Sequence, residues 1–439
     1  MLLFPEHGCR KARSSMLNFH DEILLDESVD SFVEEELSPI NGLRSAPYKF
    51  ELVGKSDGVI DLMRTQMEMR LKIVKPDGTG VAIAAGDKGV SKNLNLVGNP
   101  ISSMWSRIDT ALNDTIINVD SSRNVAHKGI IEDWIRTRLD HRAAPQGIKV
   151  KRILSTAQFQ NTYKDEEGKF NEAKTVQYVG EVPVDFLKVN NFLAPRSTLT
   201  LTFHPRPDDW VILHAQQENL RVKIVDLKLH IRRIHLTPEL IPRVPQLGQD
   251  TKELYCGKFA VVKDYQIPKG ALRWRQNIIL GNGKLPKYVI LGMVAAESFA
   301  GKAKNDRDPC FFNHFNVNHV SLKAGEKTLP KIPYSPLRSG TNHGGMREYY
   351  ALFDQLGLVH HFVDTAQHAQ GSNLFPFNLT ADMRSYLSTD LLATRRGPLS
   401  ADLGFSTALT ETIVLIAYLV YDQVISVTGS SGTPIEEQF

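Results

Sequence analysis

The sequence predicts an all-β protein of two tandem eight-stranded β-sandwiches with short helices in loops, and three observations carry that prediction. From Tyr48 onward, short segments of period-two hydrophobicity alternate with Gly, Asn, Asp and Pro clusters. At 439 residues the chain exceeds one ordinary core, so two domains of roughly 200 residues are expected. Near its middle, "TPELIPRVPQLGQD" (237–250) places three prolines and a glycine in one stretch, which breaks regular structure and marks a boundary.

In the first half the strands are expected at 48–53, 67–73, 106–112, 115–119, 151–160, 176–187, 198–204 and 222–236. Met67, Met69, Leu71 and Ile73 alternate with Glu68, Arg70 and Lys72 until "KPDGTG" turns the chain, and Asn113-Asp114 joins 106–112 to 115–119. One helix interrupts the series: in "GIIEDWIRTRL" Ile130, Ile131, Trp134, Ile135 and Leu139 share a helical face, with Pro145 beyond its end.

The second half repeats the style, with strands expected at 256–263, 272–280, 287–296, 311–323, 374–380, 399–406 and 411–427. Its helix is "MREYYALFDQLG", where Met346, Tyr349, Tyr350, Phe353 and Leu356 fall on one side. "YKFELV" (48–53) and "GKFAVV" (257–262) open the two halves alike, a short match that hints at a repeat.

The stretch "KIVDLKLHIRRIHL" (223–236) alternates from Val225 through Leu227 and Leu229 to Ile231, then resumes on the opposite parity. A helix would leave Val225, Leu229 and Leu236 off its stripe, and the β-branched residues favour a strand. The change of parity predicts a bulge near Arg232 and Arg233. Val225 to Ile231 then face the first sandwich's core, while Ile234 and Leu236 are candidates for an inter-domain or inter-subunit contact.

A 42% apolar content suits a globular protein, and the longest apolar run, Ile413 to Tyr421, has nine residues. That is about half of the ~20 needed to span a membrane as a helix, so it reads as a buried strand and no membrane span is expected. "MLLFPEHGCRKARSS" places its charges after a short apolar start, the reverse of a secretory signal. Cys9, Cys256 and Cys310 are odd in number and lack CxxC spacing, which predicts inert thiols rather than disulfides or a zinc site.

The net charge of +3 hides an asymmetry. Residues 1–40 hold nine acidic and three basic residues, leaving 40 acidic and 49 basic in the body. Segment 21–36 contains no Lys or Arg and is expected to be a flexible acidic arm that lies on the basic body or is displaced from it. Removal of residues 1–40 is expected to leave the assembled protein intact.

No cofactor, metal or catalytic site is predicted. "GNGK" (281–284) lacks the spacing and the Ser or Thr of a phosphate loop and reads as a hairpin turn. His360, His361, Asp364 and His368 would share part of a helical face, without a recognised ligand spacing. His314 and His319 would face opposite sides of a strand, and Asp208 and Asp209 sit in a Pro-rich loop. Serines and histidines are too dispersed to propose a triad. No basic-aromatic pattern for nucleic acid appears, though the body's charge allows weak, salt-sensitive phosphate contact.

The segments "IPKG" (267–270), "NIILGNGKLPKYVILGMVAAESFAG" (277–301) and "CFFNHFNVNHVSL" (310–322) resemble the second half of the double jelly-roll major capsid proteins of Polinton (Maverick) elements and adintoviruses. "MREYYALFDQLG" and "LSADLGFSTALTETIVLIAYLVYDQVISV" continue the likeness in order. "MRLKIVKPDGT", "SMWSRIDTALND" and "VKIVDLKLHIRRIHLTPEL" extend it more loosely into the first half. The acidic N-terminal extension has no counterpart, and "NGK" lengthens one turn.

The resemblance implies two tandem eight-stranded jelly-roll β-sandwiches, a double jelly roll. The divisions are an acidic arm at 1–45, a first jelly roll at 46–238, a Pro-rich linker at 239–252, a second jelly roll at 253–430 and a tail at 431–439. It implies a non-enzymatic shell protein, a homotrimer forming pseudo-hexagonal capsomers of an icosahedral virion around double-stranded DNA. Its expected partners are itself, neighbouring capsomers, minor capsid and vertex proteins and, weakly, packaged DNA, with assembly inside the host cell. A carbohydrate-binding or carbohydrate-cleaving β-sandwich, a minor capsid or vertex protein and a host-domesticated capsid gene are the alternatives.

Overall fold

The computed structural model of the chain describes residues 29–55, 58–80, 95–117, 123–136, 173–189, 191–213, 219–237, 239, 252–278, 283–301, 308–336, 345–356, 368, 371–380, 395–428 and 434–437. The first half holds strands β1 (Val29–Leu37), β2 (Tyr48–Val53), β3 (Gly58–Val74), β4 (Asn95–Leu96), β5 (Trp105–Leu112) and β6 (Thr115–Ile116). Helix α1 (Val125–Arg136) precedes β7 (Val176–Glu181), β8 (Thr198–Pro205), β9 (Ile212–Leu213) and β10 (Arg221–Leu236). The second half holds β11 (Lys252–Ile267), β12 (Arg273–Asn277), β13 (Tyr288–Ala295), β14 (Val317–Ala324) and β15 (Lys327–Tyr334). Helix α2 (Met346–Leu356) then leads to β16 (Leu374–Asn378), β17 (Leu399–Phe405), β18 (Ile413–Thr428) and β19 (Pro434–Glu437).

The sheets are β1-β10-β3-β7 and β2-β8-β5-β6 in the first half, β11-β18-β13-β16 and β12-β17-β14-β15 in the second, all antiparallel. Two short extras stand apart, the β4-β9 pair and β19 on β18. Counting the eight main strands of each half in chain order gives the same pair of sheets twice, 1-8-3-6 and 2-7-4-5. That order is a jelly roll. The all-β, two-sandwich fold class is borne out.

Sequence chemistry accounts for the turns and the cores. Asn113 and Asp114 both adopt positive φ (46° and 63°), the twist that lets a two-residue turn close the β5–β6 hairpin. In β3, Met67, Met69, Leu71 and Ile73 fill the first core, as their alternation requires. The second core is filled by the inward residues of β13, β14, β17 and β18, among them Leu291, Val320, Leu403 and Leu415.

Strand β18 shows why its sequence is apolar without a break. Ile413, Leu415, Ala417, Leu419 and Tyr421 face the second sandwich's core. Val414, Ile416, Tyr418 and Val420 face the other way and belong to the core cluster of the first. The outer face of the β11-β18-β13-β16 sheet is therefore the surface on which the first sandwich rests, buried on both sides like a parallel sheet. Full burial of a large apolar side chain contributes roughly 1.5–3 kcal/mol, so this seam joins the halves firmly.

Several sequence expectations need correction. Residues 29–37, assigned to the flexible arm, form β1, so the first sandwich begins before residue 46. The acidic run is neutralised by cations some 200 positions away, which a linear charge count cannot register. Lys228 Nζ lies 2.8 Å from Glu36, Arg232 Nη2 3.2 Å from Glu34, and Arg233 grips Glu35 with Nε and Nη2 at 2.9 and 3.0 Å. Strand β15 is not among the expected strands; it carries Pro330 and Pro333, which its place at the edge of the sheet tolerates. Residues 434–437 of the tail pair with β18 as β19. The matching openings prove out of phase: "YKFELV" is the second strand of its sandwich, whereas "GKFAVV" lies in the first strand of the other. The strand expected at 151–160 lies outside the described residues, and that at 176–187 stops at Glu181, with a 3-10 turn at Asp185–Lys188.

The helices also differ from their predicted faces. Helix α1 is buried through Val125–Glu132 on every side, not along one stripe. Helix α2 buries Glu348, Ala351 and Leu352, while Met346 and Tyr350 are exposed. On the helix, Gln355 donates to Tyr334 Oη and binds Asn378, a polar anchor that hydrophobic spacing does not register.

In β10, Leu227, Leu229 and Ile231 enter the first core, but Val225 is exposed. The pairing with β3 shifts between Ile224 and Asp226, which reverses parity there, and again between His230 and Arg232. Against β1 the register runs unbroken through Arg232 and Arg233. The irregularity near the arginines is thus on the β3 side only, because the four β3 residues Leu62 to Thr65 stand against Ile231 alone.

The carboxylates of β1 predict an acid-sensitive strand. Hydrogen bonds from Arg233 and the charges of Arg233 and Lys55 hold Glu35 below its ordinary pKa, and Lys228 does the same for Glu36. A depressed folded pKa contributes stability that is present above the unfolded value, roughly 4.3, and lost as pH falls through the folded one. Hydrogen exchange at the β1 amides, corrected for the intrinsic rate, is expected to accelerate on going from pH 7 to about pH 3.5, and less strongly in high salt at pH 7. Unchanged protection at low pH would show that backbone pairing alone holds the strand.

Candidate functional site

The strongest concentration of buried polar chemistry lies at the seam between the sandwiches. Helix α1 enters it because Val125, Ala126, Ile130 and Ile131 join the first core, and the helix also lies against β11 and β18 of the second sandwich. Lys128 Nζ reaches Asp185 Oδ2 at 2.6 Å with both side chains buried. The same oxygen accepts the backbone N–H of Ala260 on β11 at 2.8 Å. Lys188 Nζ lies 2.5 Å from Glu132 Oε2, and Tyr418 Oη on β18 donates to Glu132 Oε1 at 3.2 Å. Two carboxylates of the first sandwich therefore bind groups of the second.

A second buried group surrounds His127. Its ring stacks on Phe299 at 5.3 Å, meets the edges of Trp210 and Phe312, and its Nε2–H donates to the carbonyl of Pro309 at 2.9 Å. Burial, with the Arg206 charge, pushes the His127 pKa down to about 3, so the imidazole is neutral at neutral pH. The Arg206 guanidinium lies 3.8 Å from the Trp210 ring centre, and burial lowers it to about 10. Burial raises Asp308 to about 6 and the Cys310 thiol well above its usual value. Gly292 on β13 leaves room for this packing, since a Cβ there would stand 2.5 Å from Phe312 Cδ1.

These groups join the two sandwiches. Cys310 is buried with its thiol protonated, and Cys256 is free with its pKa raised by burial. Among the described residues no group of three or more His, Cys, Asp or Glu could hold a metal ion. His368 is a core histidine whose Nε2 lies 3.2 Å from the carbonyl of Leu374, while His360, His361 and Asp364 lie outside the described residues. His314 accepts from the Asn316 N–H, His319 lies beside Ser321, and Asp208 receives the Val222 N–H. No helix among the described residues is long and apolar enough to cross a membrane.

Of the predicted contact residues, Ile234 is buried yet belongs to neither core cluster, and Leu236 is half-buried at the end of β10. Ile234 pairs with Phe32 on the outer side of the sheet, opposite to Leu229. Sequence reasoning missed the α1 network altogether. Its one signal was His127 and Lys128 standing beside the apolar positions of a helix whose stripe continues through Ile130 and Ile131.

No family model and no curated protein matches the sequence. Solved structures do match, over nearly the full length of both partners. A chain in the Sputnik virophage structure is 10% identical, covers 98% of this chain and 93% of its own, and has a TM-score of 0.58. A chain of the PBCV-1 virus capsid is 10% identical over 95% of this chain and 99% of its own, with a TM-score of 0.54. The Faustovirus major capsid protein is 8% identical over 94% and 92%, also at 0.54. At such identities the likeness establishes the fold, and it agrees with the strand order and the doubly buried sheet: the chain is a double jelly roll of the kind found in the Faustovirus major capsid protein.

Proposed function

We propose that the chain is a major capsid protein, three copies of which form a pseudo-hexagonal capsomer of an icosahedral shell around double-stranded DNA. The observation that carries this is the shared sheet: two sandwiches of identical strand order are fused through an apolar face into one unit. Such a unit is a bidomain block for a ring of six sandwiches, with heterologous contacts that close on themselves. The ordered motifs between Ile267 and Val427 support placing it with the Polinton and adintovirus capsid proteins. The chain then resides in the virion shell after assembly inside the host cell. Its partners are neighbouring capsomers, minor capsid and vertex proteins and, through its basic body, weakly held DNA.

A glycan-binding sandwich would need an aromatic platform in a groove. Trp105 and Trp210 are buried, and Trp274 packs against the second core. Light scattering on the purified full chain is expected to give three times the chain mass, with a six-sided outline in negative-stain images. A monomer that binds glycans on an array would overturn the proposal.

A further inference from the structure

We infer that helix α2 of one copy docks on the outer face of strands β1 and β10 of a second copy, repeating between chains the contact that α1 makes within one. This rests on the trimeric reading above. Both helices occupy the same place in their sandwiches, in the connection between the fifth and sixth main strands: α1 between β6 and β7, α2 between β15 and β16. Inside the chain, α1 is covered by the first and eighth strands of the other sandwich. Asn124, just before the helix, donates to Asp264 on β11 at 2.9 Å, and Glu132 receives Tyr418 Oη of β18.

Within one copy, no described helix covers either of the two equivalent surfaces. Helix α2 presents Tyr350, 64% exposed, and Met346, 45% exposed. It is held in place from beneath by Arg347, which donates to the carbonyls of Ile332 and Pro333. The first and eighth strands of the first sandwich are β1 and β10, and on their outer face Phe32 is 58% exposed beside buried Ile234. Apolar side chains thus stand out on both surfaces where the repeated topology calls for a contact.

The face differs from its intrachain counterpart in one informative way. The outer side of β11 and β18 is apolar, with Val262, Ile416 and Tyr418, as suits a permanent seam. The outer side of β1 and β10 surrounds Phe32 with ion pairs already satisfied within the chain, Arg232–Glu34 and Lys228–Glu36. Such a surface keeps the free chain soluble and meets a partner without leaving a buried charge unpaired. A helix on one sandwich and a sheet on the other form a head-to-tail contact, which closes into a ring when repeated.

The test uses two full-length variants, M346E/Y350E on the helix and F32E on the sheet, with L272E, an exposed leucine outside α2, β1 and β10, as control. Each of the first two is expected to weaken self-association at least tenfold and to run at the mass of one chain, with unchanged near-ultraviolet circular dichroism; L272E stays trimeric. Mixed in equal amounts, the two defective variants are expected to form a two-chain species, because one keeps an intact sheet and the other an intact helix. Variants that remain trimeric would overturn this contact and leave the trimeric reading standing, as would a mixture that stays at one chain mass. A wild-type chain that runs as a monomer would overturn both. Should a glutamate variant lose its folded signature, Y350S and F32S make the same comparison without added charge.

Discussion

Replacing Asp185 with alanine is expected to destabilise the chain by about 3–5 kcal/mol, the range found when one partner of a buried ion pair is removed. The carboxylate has two roles that no other described group duplicates at those distances. It neutralises Lys128, whose ammonium is as buried as Asp185 itself, and it caps the N–H of Ala260 on the other sandwich. Alanine leaves a buried cation and a buried donor, and the donor alone costs about 1–3 kcal/mol. The pair as a whole need not be stabilising, since desolvation offsets most of the Coulomb attraction. The double variant K128M/D185L is therefore expected to recover much of the loss. Chemical denaturation of both variants checks this; a single variant no weaker than the double one would mean that Lys128 finds water or another anion.

Deleting residues 29–37 is expected to cost at least as much, whereas deleting only residues 1–28 leaves the pairing of β1 with β10 and its ion pairs to Lys228, Arg232 and Arg233 in place. Without β1 the Arg233 guanidinium, almost fully buried, loses its bidentate partner Glu35 and, among the described residues, keeps the Val53 carbonyl. Leu37 leaves the first core, and β10 becomes a long open edge. A loss of about 3–5 kcal/mol in a domain of this size lowers the melting temperature by roughly 10 °C. This reverses the expectation drawn from charge alone, that the acidic segment is dispensable. Equal melting temperatures for the two truncations would restore it.

Composition and periodicity made most of the strands legible, because each strand's inward residues are local in sequence. Met67 to Ile73, Leu199 to Phe203 and Leu399 to Phe405 show the alternation that burial of one face imposes. The unbroken run Ile413–Tyr421 announced burial on both faces without saying against what. The Asn113-Asp114 turn was legible for the same local reason. Strand β1 was not, since three consecutive glutamates look like solvated repulsion until Lys228, Arg232 and Arg233 are brought beside them.

What the sequence by itself determined is the all-β class and the presence of two sandwiches. These depend on short-range pattern, and hydrophobic periodicity encodes them directly. What only the tertiary structure decided is which faces meet. Lys128 and Asp185 are 57 positions apart, Glu132 and Tyr418 286, and Arg233 and Glu35 198. Burying a charge is unfavourable until its partner arrives, so such residues look out of place in the sequence and find their reason only once the long-range contacts have formed.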